Sequence, residues 1–245
     1  MLSQKRRWLI LSVLGLFFFM VIVDGSIVAI AIPQIAQSLN AATGTTTLII
    51  SVYLITICAT LLLFGQFGDQ YGRVQIFEIG TFIFLVGSFL AGAGHTIEFV
   101  LGGRFVQGIG ASMTMANSYA IVTDTFPAKQ LGRAFGVESI FISLGALAGP
   151  GLGGLILGSF PWSYIFWINL PIGIICLIIE VLVFPKSIRH KEKGIDWYGA
   201  ILLALAATCL YLLTTQLNTH IAYLAGLLIL LGGFSWCFVK TEQKA

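Results

Sequence analysis

Charged residues are scarce in this chain of 245 residues. Asp, Glu, Lys and Arg make up only 9% of it, while apolar residues make up 58%. Soluble domains carry about 25% charged residues, so the composition excludes an ordinary soluble protein. The small net charge of +3 gives no support for nucleic-acid binding. We predict an integral membrane protein that interacts with the lipid bilayer.

Patterns typical of enzymes and metal sites are also missing from the sequence. The four cysteines all fall in apolar stretches, at no spacing typical of a metal site. The three histidines are scattered, and no His-Glu-x-x-His or Gly-x-Ser-x-Gly sequence occurs. We therefore expect no enzyme activity, no metal and no other cofactor.

Long apolar runs fill the sequence instead. A bilayer core about 30 Å thick requires about 20 apolar residues in each helical span. A transmembrane strand would alternate apolar and polar residues, and these runs do not alternate. We therefore predict an all-α chain with eight spans, at residues 8–32, 48–65, 76–94, 99–122, 135–157, 164–184, 197–213 and 221–239.

The basic residues indicate how these spans are oriented. Lys and Arg are retained in cytoplasmic loops. If the amino terminus is cytoplasmic, twelve of the thirteen Lys and Arg residues fall in cytoplasmic segments and the outer loops hold none. We expect a multi-pass protein of the cell membrane with both termini in the cytoplasm. The remaining cation, Arg104, lies inside the fourth predicted span.

One connection between spans is strongly charged. Residues 186–196 separate the first six predicted spans from the last two. We predict an amino-terminal six-helix unit at residues 1–185, a cytoplasmic linker at 186–196, and a final unit at 197–245 with two helices and a short cytoplasmic tail.

The predicted turn after the second span combines glycines with two charges. Gly65, Asp69, Gly72 and Arg73 follow the pattern Gly-x-x-x-Asp-x-x-Gly-Arg. Glycine permits a sharp reversal of the chain, and the charged residues can neutralise helix ends. The pattern resembles the cytoplasmic loop signature of the major facilitator superfamily. The resemblance implies a transporter in which this turn is a gating loop.

The fourth predicted span carries a guanidinium that costs roughly 2.5 to 3.5 kcal/mol or more at the centre of a bilayer. Arg104, Gln107, Gly108 and Gly110 resemble the superfamily pattern Arg-x-x-Gln-Gly-x-Gly. Because Arg104 and Gln107 are three residues apart, they share a helix face. We expect Arg104 in the polar centre of the protein; the alternative is that it snorkels to the outer interface.

The fifth predicted span repeats glycine every four residues, which lets another helix approach closely. Its pattern, Gly-x-x-x-Gly-Pro-x-x-Gly-Gly, resembles the antiporter motif that is characteristic of exporters in the superfamily. The matching residues are Gly145, Gly149, Pro150, Gly153 and Gly154.

The end of the first predicted span and the start of the sixth resemble the fourteen-span drug:proton antiporter branch of the superfamily. Asp24 and Ser26 carry the resemblance in the first span, and Asn169 lies in the matching part of the sixth. This resemblance implies a proton-coupled exporter of amphipathic or cationic compounds, with protons and a small-molecule substrate as partners. We expect Ser26, Gln107 and Asn169 to line the substrate cavity.

Asp24 and Arg104 are expected to lie at the same depth. At 1.5 Å per residue they are about 12 Å and about 8 Å below the outer end of their spans. We therefore predict that they pair and that proton coupling uses Asp24 and Arg104. Glu138 and Glu180 are weaker candidates, because we expect the first at the exposed interface and the second to snorkel or to line an inner vestibule.

Full transporters of the superfamily have two six-helix halves, and this chain corresponds to one half and two extra helices. A second transporter half is therefore an expected partner. Two alternatives remain open: an importer or narrow-substrate exporter on the same fold, and a half-transporter subunit that does not transport by itself.

Overall fold

The computed structural model describes residues 3–185, 197–215, 226–228 and 230–234. Most of these residues are helical, and no strand occurs among them. The helices are α1 (Gln4–Ser38), α2 (Thr43–Thr46), α3 (Leu48–Tyr71), α4 (Arg73–Gly92), α5 (Ile97–Thr125), α6 (Leu131–Ser159), α7 (Tyr164–Trp167), α8 (Asn169–Val183) and α9 (Trp197–Thr215).

The predicted all-α fold is confirmed, and the first seven predicted spans coincide with helices. The sixth span is formed by α7 and α8 together, and several helices run beyond the predicted ends because their polar terminal turns continue past the apolar run. The predicted linker at 186–196, the tail and most of the eighth predicted span lie outside the described residues.

Five helical segments of the described part are long and apolar enough to cross a membrane. They are Gln4–Ser38, Thr43–Tyr71, Arg73–Gly92, Ala128–Ser159 and Tyr164–Val183. The long helix α5 is not among them, since its mean hydropathy is lowered by a series of buried polar residues: Arg104, Gln107, Ser112, Thr114, Asn117, Ser118 and Thr125.

Helix α5 packs between α3 and α4, and its contact with α4 is very close. A Cβ added at Gly87 of α4 would lie 2.3 Å from the backbone nitrogen of Gln107, and one added at Gly110 would lie 2.3 Å from that of Phe84. Only glycine fits where two backbones approach this closely. The glycines thereby fix the position of the polar face of α5.

Helix α1 packs between α6 and α8. At its start, Arg6 donates from Nε to the carbonyl oxygen of Val183 at the end of α8, over 2.7 Å. At its other end, Trp162 donates from Nε1 to Ser38 Oγ over 3.0 Å. We call the end of the bundle that holds Arg6 the amino-terminal end.

Candidate functional site: a buried polar cluster around Asp24 and Arg104

A buried cluster of polar side chains joins α1, α3, α4, α5 and α8. Each member is at most 2% exposed. The cluster consists of Asp24, Tyr53, Ser88, Arg104, Gln107 and Asn169.

The carboxylate of Asp24 is the centre of the cluster. Its Oδ2 accepts from Arg104 Nη1 over 2.5 Å. Its Oδ1 accepts from Gln107 Nε2 over 2.9 Å and from Asn169 Nδ2 over 2.8 Å. Three N–H donors thus face the two oxygens, which is the arrangement that an ionised carboxylate requires in an apolar interior.

Arg104 is held from several directions. Its Nε donates to the carbonyl oxygen of Ile49 over 3.1 Å, and its Nη1 also donates to Gln107 Oε1 over 2.7 Å. The guanidinium carbon lies 3.9 Å from the centre of the Tyr53 ring, within the range of a cation–π contact. Because Arg104 is 0% exposed, the alternative that it snorkels to the outer interface is wrong.

Gln107 and Asn169 meet at a shared hydroxyl group. Both amide nitrogens donate to Ser88 Oγ, over 2.7 Å from Gln107 and 3.2 Å from Asn169. Each amide therefore bridges the carboxylate of Asp24 and the hydroxyl of α4. The bridge fixes the position of α8 relative to α1 and α4.

The turn between α3 and α4 is the second polar site. Gly72 has φ 114°, a conformation that favours glycine. Arg73 pairs with Asp69 (Nη2 to Oδ1, 2.7 Å), and its Nη1 lies 3.0 Å from both carboxylate oxygens of Asp124 at the end of α5. The arginine therefore ties the turn to α5, at the amino-terminal end of the bundle.

The family model described as Major Facilitator Superfamily matches residues 14–197 of this chain. The chain belongs to the major facilitator superfamily. Its members are transporters, so the chain is not an enzyme, as predicted. Transporters of this superfamily bind small-molecule substrates, and membership of it agrees with the several helices of this chain that are apolar enough to cross a membrane.

Two curated relatives of this chain have names that indicate different substrates. It is 34% identical over 222 residues to "Riboflavin transporter RibZ" of Clostridioides difficile, covering 90% of this chain and 49% of the relative. It is 32% identical over 239 residues to "Multidrug resistance protein 3" of Bacillus subtilis, covering 95% of this chain and 46% of the relative. The chain therefore spans about half the length of these relatives.

Solved structures of other transporters share the fold at low sequence identity. An auto-inhibited peptide transporter of the POT family has a TM-score of 0.66 at 19% identity, covering 98% of this chain and 54% of that chain. A bacterial homologue of the human lysosomal transporter Spinster has a TM-score of 0.66 at 16% identity, with 91% and 63% covered. These similarities support the fold.

Ser26 was expected to line the substrate cavity, but it does not belong to the cluster around Asp24 and Arg104. Its hydroxyl donates to the carbonyl oxygens of Ile22 and Val23, each over 3.0 Å. The side chain lies against Gly149 of α6, where an added Cβ would be 2.8 Å from Ser26 Cβ. Ser26 thus belongs to the contact between α1 and the glycine face of α6.

The glycine face of α6 packs on α1 as its spacing predicts. Gly145, Gly149 and Gly153 are buried on this side, with Gly145 beside the carbonyl oxygen of Phe19. Pro150 lies inside the continuous helix α6. Gly154 has open space around it, as does Gly65 in the turn motif, so close packing does not require glycine at either position.

The expectation that Glu138 lies at the exposed interface is wrong, and Glu180, which was expected to snorkel or to line an inner vestibule, does not snorkel. Both side chains are 0% exposed. Glu138 accepts from Ser118 Oγ over 2.6 Å, and Glu180 accepts from Thr81 Oγ1 over 3.2 Å. Neighbouring helices cover both carboxyl groups, which depth along a single helix does not reveal.

Sequence reasoning also missed several partners. Ser88 in the cluster, Asp124 in the turn site and the contact of Tyr53 with Arg104 were not predicted. Tyrosine and serine are common in membrane helices, so their presence gives no sign of a site. Asp124 carries a usable signal, because it is a carboxylate near the end of the predicted span that also contains Arg104.

Proposed function

We propose that this chain is one half of a proton-coupled secondary transporter that exports amphipathic or cationic compounds. We further place it in the fourteen-span drug:proton antiporter branch. The observation that carries the proposal is the buried Asp24–Arg104 pair, bridged at 2.5 Å between α1 and α5. A relative named as a multidrug resistance protein and the glycine face of α6 support export.

In the proposed mechanism, Asp24 takes a proton from the outer side and its bond to Arg104 weakens. Arg104 then remains held by the Ile49 carbonyl oxygen, by Gln107 Oε1 and by the Tyr53 ring. The guanidinium therefore stays in place while the carboxyl becomes neutral. A cationic substrate competes with the proton for Asp24, and this competition couples the two fluxes.

Gln107 and Asn169 are the proposed substrate-facing polar groups, since both donate to the carboxylate that changes its charge. Loss of that charge weakens both bonds and frees the amides for a ligand. The turn at Asp69 and Arg73 is the proposed gate. We place both termini in the cytoplasm, as the distribution of Lys and Arg indicates.

A second transporter half completes the proposed pathway. The relatives are about twice as long as this chain, and alternating access requires two bodies that move against each other. We propose a second six-helix unit, covalently joined or separate, as the partner.

The test is transport by inverted membrane vesicles that contain the full chain, alone and together with a second half. We expect a proton gradient to drive accumulation of a fluorescent cationic dye, and Asp24→Asn to abolish it. Glu98→Gln, at an exposed position on α5, should transport normally. Full gradient-driven accumulation by Asp24→Asn would refute the role of Asp24.

The same vesicles separate the alternatives. Extrusion rather than accumulation would indicate an importer. Transport only with the second half would identify a subunit, and no transport in either case would contradict the proposal. A narrow-substrate transporter is favoured by the relative named as a riboflavin transporter, and competition between riboflavin and the dye tests it.

A further inference from the structure

Glu138 is a buried carboxyl group for which the mechanism above has no use. It lies on the same face of α6 as Gly145 and Gly149, seven and eleven residues before them. That face packs on α1, and Ser118 of α5 reaches the carboxyl over 2.6 Å. Glu138 is therefore enclosed where three helices meet.

The carboxyl has few polar neighbours. Glu138 Oε2 has no hydrogen-bond partner among the described residues. The only donor recorded for Oε1 in the described part is the Ser118 hydroxyl. Asp24, in contrast, has three N–H donors on its two oxygens. The surroundings of Asp24 therefore suit an ionised carboxylate, and those of Glu138 suit a neutral carboxyl group.

The charges around Glu138 do not compensate an anion. In the described part of the chain, ion pairs involve Asp24, Asp69 and Asp124, and none involves Glu138. On α5 the ionisable neighbour is the Tyr119 phenol. On α6 itself, Arg133 is directed to Trp8, with its guanidinium carbon 4.9 Å from the ring centre.

The part of α1 at this level is apolar. Leu11 and Leu14 belong to the same buried cluster as Ala134, one turn before Glu138 on α6. An ionised carboxylate with a single donor is strongly disfavoured in such surroundings, and the group becomes neutral instead. A neutral carboxyl and a hydroxyl fit the contact with Ser118 in either donor direction.

We propose that Glu138 is a second proton-binding site, protonated while α6 packs on α1 and α5. It lies about 16 Å from Asp24, as judged from the separation of eleven positions between Gln107 and Ser118 on α5. It is about 10 Å from the start of α6, at the amino-terminal end of the bundle. The site is therefore separate from the Asp24 cluster.

Movement of α6 away from α5 releases the proton. Water then reaches the carboxyl, the O–H bond breaks, the proton passes to water and a hydrated carboxylate remains. This step extends the proposed function, since it adds a proton site on the side opposite to proton entry. Protonation in the packed state does not depend on transport.

Infrared spectroscopy of the purified full chain in lipid vesicles tests the protonation directly. A protonated carboxyl has a C=O stretch that is resolved from the carboxylate bands and shifts in D2O. We expect Glu138→Gln to remove part of this band at neutral pH, and exposed Glu98→Gln to leave it unchanged. An unchanged band in folded Glu138→Gln would overturn the proposal.

Ser118→Ala keeps the test decisive if Glu138→Gln does not fold. Loss of the hydroxyl partner should shift the C=O stretch of Glu138 while the protonated band persists. An unchanged stretch in this variant would overturn the proposal. Asp24→Asn should leave the Glu138 band in place even if it abolishes transport, so the two proposals fail separately.

Discussion

Arg104 and Asp24 are 80 residues apart in the sequence, and their side chains meet over 2.5 Å in the middle of the bundle. Each residue offsets the desolvation cost of the other, because an isolated charge of either sign is strongly disfavoured in an apolar interior. The pair therefore joins α1 to α5 as long as both groups are ionised. Any event that neutralises Asp24 weakens that connection.

Arg104→Lys tests whether geometry matters at this position as well as charge. Lysine can pair with Asp24 but cannot reproduce both the bond from Nε to Ile49 and the flat contact with Tyr53. We expect a loss of about 1 to 3 kcal/mol of stability, against about 3 to 5 kcal/mol for Arg104→Gln, which leaves a buried carboxylate unpaired. Equilibrium unfolding in detergent measures both, and equal losses would contradict the prediction.

Gly87→Ala tests the close contact between α4 and α5. The new methyl group would lie 2.3 Å from the backbone nitrogen of Gln107, so α5 must move and Gln107 must shift relative to Asp24. We expect a loss of about 1 to 3 kcal/mol. Gly102→Ala is the matched control, because nothing lies within 4 Å of that position. Similar thermal stability of the two variants would refute the prediction.

Gly149→Ala tests the packing of α6 on α1. The added Cβ would lie 2.8 Å from Ser26 Cβ, whereas Gly151 has no neighbour within 4 Å. We expect Gly149→Ala to lower the thermal midpoint and Gly151→Ala to leave it unchanged or slightly raised. Ser26→Gly should rescue Gly149→Ala by making room. Failure of the rescue would argue that Ser26 has a role other than packing.

Two substitutions in the turn between α3 and α4 compare the effect of backbone conformation with the effect of an ion pair. Gly72→Ala places a side chain at φ 114° and should cost about 1 to 3 kcal/mol. Asp124→Asn removes one partner of Arg73, but 51% of the Asp124 side chain is exposed, and exposed pairs contribute about 0.2 to 1 kcal/mol. Unfolding measurements should therefore rank Gly72→Ala as the more damaging change, and the opposite order would contradict this account.

Sequence alone predicts most of this fold because a bilayer imposes a simple length and polarity on each span. It also predicts the contact of Asp24 with Arg104, since two costly charges at one depth are most stable together. It does not predict that Tyr53 contacts Arg104 or that Ser88 joins the cluster, because these residue types are ordinary in membrane helices. Glu138 was misplaced because burial depends on which helices cover a face, and residue counting along one helix carries no such information.

The sequence separation within the cluster has a consequence for how the protein is made. A ribosome delivers Asp24 to the membrane 80 residues before Arg104 and 145 residues before Asn169. During that interval the acid has none of the three donors that later surround it. An ionised carboxylate at the centre of a membrane helix costs about 2.5 to 3.5 kcal/mol, so the insertion of α1 is less favourable before α5 arrives. Synthesis order thus makes α1 dependent on helices that do not yet exist when it leaves the ribosome.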